Sequence, residues 1–64
     1  MIGENIKFSY EKNEGGIIRT KTLKGLIVER WIENETMYYL VQLEERIDGK
    51  LVLIIDIYDI IEVI

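Results

Sequence analysis

Asp48-Gly49 is the feature that most constrains what this chain can fold into. An Asp-Gly pair between two apolar runs suits a type I′ turn. That turn needs positive φ at both central residues and joins adjacent antiparallel strands. The flanking runs, Thr36-Met-Tyr-Tyr-Leu-Val-Gln-Leu43 and Lys50-Leu-Val-Leu-Ile-Ile55, predict a hairpin with strands over 36–47 and 50–55. Other segments carry the same extended signature. Ile2, Ile6, Phe8 and Tyr10 fall on one parity, while Asn5, Lys7 and Ser9 fall on the other. This is the period of a half-buried strand over residues 2–10. Gly25 opens a further strand over 25–33, closed by a turn at Glu33-Asn-Glu35. Ile60 to Ile64 reads as a brief closing strand, after a turn or 3₁₀ segment at Asp56-Ile-Tyr-Asp59. Lys12-Asn-Glu-Gly-Gly16 breaks the first strand as a two-glycine turn. Residues 17–24 are ambiguous, with Ile17-Ile18 ending a hairpin or Arg19-Thr-Lys-Thr22 forming an exposed loop or edge, and residues 12–22 together read as a surface loop. No Ala is available to build helices, and Ile, the commonest residue, packs well on a pleated surface.

Turn geometry extends to register. With a two-residue loop at Asp48-Gly49, Ile47 faces Lys50, Leu43 faces Ile54, and Glu45 faces Val52. With an even loop at Asn34-Glu35, Ile32 faces Met37, Val28 faces Val41, and Trp31 faces Tyr38. The core face is then Leu26, Val28, Ile32, Met37, Tyr39, Val41, Leu43, Val52 and Ile54. The outer face carries Ile27, Trp31, Tyr38, Leu40, Leu53 and Ile55, interrupted by Glu29, Gln42 and Glu44. A one-residue slip exchanges the faces of a strand.

Three segments give these strands a resemblance. Gly25-Leu-Ile-Val-Glu29 resembles the opening of the second strand in KOW, Tudor and related barrels. Tyr38-Tyr-Leu-Val-Gln-Leu43 followed by Asp48-Gly49 resembles their central hairpin, and Asp59-Ile-Ile-Glu-Val63 resembles their closing strand. The chain thus resembles the SH3-like small β-barrel superfold. The resemblance implies one all-β domain over 1–64, a five-stranded antiparallel barrel with at most a short 3₁₀ turn before the last strand. Members of that superfold bind peptides, methylated residues, RNA or other proteins, so the fold does not choose a partner. The Trp-Pro arrangement of peptide-binding SH3 domains is missing, because the chain has no Pro.

Composition narrows the chemistry. With no His and no Cys, thiol and imidazole catalysis and soft-metal sites are excluded, and neither a metal nor another cofactor is expected. Carboxylates pair at Asp56/Asp59, Glu44/Glu45 and Glu33/Glu35, in turns and on solvent faces where nothing separates their acidities. The expectation is a protein that is not an enzyme. Twelve acids against eight bases give a net charge of −4, the opposite of the balance that neutralises phosphates. The start, Met1-Ile-Gly-Glu-Asn5, lacks a basic and apolar leader pattern. The apolar stretch Leu51–Ile64 is short and carries three acids, so a soluble, cytoplasmic protein is expected, without membrane association.

The expected function is a protein–protein interaction module or accessory subunit, pairing with another protein or with a second copy of itself. Its expected interface is Trp31, Tyr38, Leu40, Leu53 and Ile55. One alternative is a nucleic-acid-associated barrel of KOW or Tudor type using Arg19, Lys21 and Lys24, which cluster beside Lys12. The bland reading of those bases is an edge guarded by charge. Another alternative is an acidic DNA-mimic inhibitor, which the net charge alone supports.

Overall fold

Three two-residue turns set the topology. Gly15-Gly16, Asn34-Glu35 and Asp48-Gly49 all hold positive φ at both positions: 59° and 87°, 49° and 63°, 53° and 77°. This matches type I′ turns, whose twist suits antiparallel hairpins. The computed structural model describes residues 2–64. Its strands are β1 (Asn5–Glu14), β2 (Ile17–Glu33), β3 (Thr36–Ile47), β4 (Lys50–Asp56) and β5 (Ile60–Val63), with a 3₁₀ turn at Ile57–Asp59 between the last two. The chain is all-β, as its sequence predicts. All five strands lie in one antiparallel sheet, in the order β4-β3-β2-β1-β5.

Residues 12–22 are not the surface loop that the sequence predicts. Gly15-Gly16 is itself the turn, so β1 and β2 continue through this region as a ladder ending at Glu14 opposite Ile17. The glycines signal a turn, and its tightness leaves nine of the eleven residues free to pair. Strand β2 runs for 17 residues and serves two neighbours. Ile17 to Leu26 pair with β1, and Gly25 to Glu33 pair with β3. The change of partner falls at Gly25-Leu26, where both ladders overlap.

Two irregularities place the core. Between Ile27 and Glu29 the β2–β3 register shifts by one, leaving Val28 without a partner. This bulge reverses which parity faces inward along β2. Ile27 therefore pairs with Val41 and is fully buried, whereas Leu26 and Val28, expected in the core, are not. Beyond the bulge the predicted pairs Trp31–Tyr38 and Ile32–Met37 form. Ile32 nonetheless stays 70% exposed at the end of the sheet. The second irregularity lies between Gln42 and Ile47. Ile47 faces Lys50 as predicted, but Gln42 faces Val52 and Leu40 faces Ile54, an offset of three residues from the regular hairpin. An odd offset exchanges the faces of β4. Leu53 and Ile55 point inward, and Val52 and Ile54 point outward.

The core is Ile6, Phe8, Ile27, Tyr39, Val41, Leu43, Leu53 and Ile55. Tyr10, Leu23, Met37, Ile47 and Ile60 pack around it. Every strand except β5 contributes a fully or nearly buried side chain, and β5 contributes Ile60 at the margin. No polar or charged side chain is buried among the described residues. The 3₁₀ turn is fixed by Asp56, whose carboxylate accepts from the Tyr58 amide at 2.9 Å, while Asp59 accepts from the Asp56 amide at 3.4 Å. This reciprocal capping carries the chain from β4 to β5 on the opposite side of the sheet. No helix among the described residues is long and apolar enough to cross a membrane.

Candidate interaction surface

The face opposite the core is built by β2, β3 and β4. Beyond the bulge, β2 presents Trp31 outward, and β3 presents Tyr38 and Leu40 on the same side. Trp31 and Tyr38 are cross-strand partners whose rings stack at a centroid distance of 6.0 Å and an interplanar angle of 22°. Such pairs gain about 0.5–1.5 kcal/mol beyond their buried area. Leu40 pairs with Ile54, and Val52 lies one outward position along β4. The result is an apolar stripe running from the aromatic pair to the edge of the sheet. Trp31, Tyr38 and Leu40 are half-buried, whereas Val52 and Ile54 are 47% and 64% exposed.

Three of the five residues expected at an interface thus lie on the outer face: Trp31, Tyr38 and Leu40. Leu53 and Ile55 do not. At 9% and 6% exposure they belong to the core, because the offset in the β3–β4 hairpin turns them inward. Val52 and Ile54, expected in the core, stand in their place. The sequence holds no clear sign of this exchange, since β4 is apolar on both parities.

Beside this stripe, a groove of ≈ 470 Å³ follows β4 and is lined by Tyr10, Leu40, Lys50, Val52, Leu53 and Ile54. A second cleft of ≈ 340 Å³ opens where β2 leaves β3. Its walls include Thr22, Leu23 and Lys24 from β2 and Leu43, Glu44, Glu45 and Ile47 from β3. No group of side chains that could hold a metal ion exists among the described residues.

Three of the basic residues, Lys12, Arg19 and Lys21, gather around Glu14. Arg19 and Lys21 both approach Glu14, at 3.5 and 4.0 Å, and Lys24 lies apart on the wall of the second cleft. Lys12 contacts Asp48 at 2.7 Å and Glu14 at 3.8 Å. The Tyr10 hydroxyl donates to the other carboxylate oxygen of Asp48 at 3.1 Å. The hydrogen bond from Lys12, with that from Tyr10, holds the pKa of Asp48 below its ordinary value. The same contacts raise Lys12 and Tyr10 above theirs. A surface for phosphate would leave its bases free; here acids meet three of the four.

A comparison with known protein families, characterised proteins and solved structures finds no match to this chain.

Proposed function

We propose that this chain is a non-enzymatic protein–protein interaction module, with the outer face of β2, β3 and β4 as its contact surface. The carrying observation is the apolar stripe from Trp31 through Tyr38 and Leu40 to Ile54 and Val52. Full burial of a Val or Ile side chain is worth roughly 1.5–3 kcal/mol. A domain this small buries only about 60% of its unfolded surface, so it has little stability to forgo. Contiguous exposed apolar patches on soluble domains mark interaction sites, and Trp and Tyr dominate such contacts energetically. The architecture we assign is an SH3-like barrel whose sheet stays open between the β4 and β5 edges. It is supported by the strand order, by a long β2 shared between two partners, and by a 3₁₀ turn carrying the chain from β4 to β5. The acid-engaged bases and net negative charge weigh against nucleic acid.

The test places a photo-crosslinking phenylalanine analogue at Ile54, in cells that naturally express the protein, with Ser9 on β1 as the control. Protein adducts at 54 and not at 9 are expected. Equal yields at both positions, or nucleic-acid adducts alone, would refute the reading.

A further inference from the structure

Both edges of the sheet are formed by strands with one neighbour each, β4 at one end and β5 at the other. An unpaired edge presents backbone donors and acceptors to any strand that can align with it, and proteins protect such edges with short length, irregularity or charge. Strand β5 has these protections. It is four residues long, its register on β1 shifts between Lys7 and Phe8, and its Glu62 meets Lys7 at 3.0 Å. Strand β4 is different. It is seven residues long, regular from Val52 to Asp56, and apolar between its ends. Leu51, Val52 and Ile54 along it are all substantially exposed.

The two charges on β4 are Lys50 at its start and Asp56 at its end. Strands paired antiparallel about Leu53 would set Lys50 opposite Asp56 of a second copy, twice over by symmetry. Val52 would face Ile54 of that copy, and Leu51 would face Ile55. Opposed residues share a face, so Lys50, Val52, Ile54 and Asp56 would all lie on the outer side. The sequence Lys-Leu-Val-Leu-Ile-Ile-Asp is therefore complementary to itself in this register, in charge and in apolar content. Lys50 has no ion pair within its own chain among the described residues.

We infer that two copies of this chain pair through β4, antiparallel and centred on Leu53, joining their sheets into one of ten strands. The inference rests on the interaction-module reading and names its partner. A two-fold contact of this kind is self-complementary and closed, so association stops at two. The apolar stripe would run unbroken from Trp31 of one copy, across both β4 strands, to Trp31 of the other.

The experiment measures solution mass by sedimentation, then tests the register. The wild-type chain is expected at twice its 7.6 kDa mass at micromolar concentration. Lys50→Glu puts like charges opposite each other at both ends and should weaken the dimer at least about tenfold. Circular dichroism checks that this exposed substitution leaves the fold intact. The chain lacks Cys, so single cysteines report the pairing directly. Mixed Val52→Cys and Ile54→Cys chains, oxidised with a mild thiol oxidant that accepts the two electrons, should form a disulfide-linked pair, which neither variant forms well alone. A monomer, an assembly larger than two, unchanged association of folded Lys50→Glu, or no preference for the mixed disulfide would each overturn the proposal. A monomer that still crosslinks a different protein from position 54 would refute this inference and leave the interaction-module reading standing.

Discussion

Glu35 is the residue whose local conformation agrees least with its chemistry. It holds φ of 63° in the turn between β2 and β3, beside Asn34 at 49°. Asn tolerates the left-handed region, but for a side chain such as Glu it costs roughly 1–2 kcal/mol. Asn-Gly is the preferred pair for a two-residue hairpin, and Asn34 already supplies its first half. Glu35 is exposed and makes no ion pair among the described residues, so its side chain returns nothing evident for the strain. Glu35→Gly is expected to stabilise the domain by roughly 0.5–1 kcal/mol, after the larger entropy of Gly in the unfolded chain is counted. That corresponds to a rise of about 2–8 °C in Tm. A thermal melt decides the matter, and an unchanged or lower Tm would mean that Glu35 carries a stabilising contact or that the turn is not strained.

At the scale of elements, the legible and illegible parts of the sequence divide along a physical line. Local chemistry marks most of the strands: alternation marks β1, and Asp48-Gly49 marks the hairpin of β3 and β4, whereas the first half of β2, which pairs with β1 beyond the Gly15-Gly16 turn, carries no such signal. The faces of β3 were also readable, and Tyr39, Val41 and Leu43 lie in the core as the register predicts. The faces of β2 and β4 were not readable, because parity there depends on irregularities that residue type does not announce. Val28 bulges although it is a good strand former, and the offset between Gln42 and Ile47 occurs in a stretch with no Gly or Pro. The candidate surface suffered the same loss: its β2 and β3 members were identified, and its β4 members were exchanged for their neighbours. One element-level device does have a visible cause. Gly25 sits where β2 changes partners, paired with Ile6 on one side and Leu43 on the other. A Cβ there would collide with Cγ1 of Val41 and lie 2.8 Å from the Gln42 carbonyl oxygen. The carbonyl belongs to the neighbouring strand and cannot move without breaking the ladder. Gly25→Ala should therefore cost about 1–3 kcal/mol, in the range of overpacked cores. Urea unfolding measures this directly, and a midpoint equal to wild type would show that β2 has room to shift.

At the scale of the whole molecule, the side-chain hydrogen bond that spans the most sequence among the described residues, from Tyr10 to Asp48, carries a pH dependence. Tyr10 and Lys12 on β1 both engage Asp48 at the β3–β4 turn, 38 residues from Tyr10. They tie together parts of the sheet that are separated by β2 and β3 in the strand order. Asp48 is held below its ordinary value of 3.8, first by the hydrogen bond from Lys12 and then by that from Tyr10. A depressed carboxylate contributes stability that is present above 3.8 and is lost as pH falls through the lower, folded value. Tyr10 and Lys12 are raised above 10.0 and 10.5, in each case chiefly by the hydrogen bond with Asp48. Their contributions are complete below those values and are lost as pH rises through the higher, folded ones. The tie is therefore strongest between the acid and alkaline limits, and salt should weaken it because all three groups are at the surface. Asp48→Asn removes the charge while keeping a residue suited to the positive φ of 53° at this turn. The variant should melt below wild type at neutral pH, and the gap should close as the solution is acidified below the folded value of Asp48. Melting temperatures of both proteins across the acid range provide the check. A gap that stays constant from neutral to strongly acid solution would mean that Asp48 acts through turn geometry alone and that the charge does not hold the two parts together.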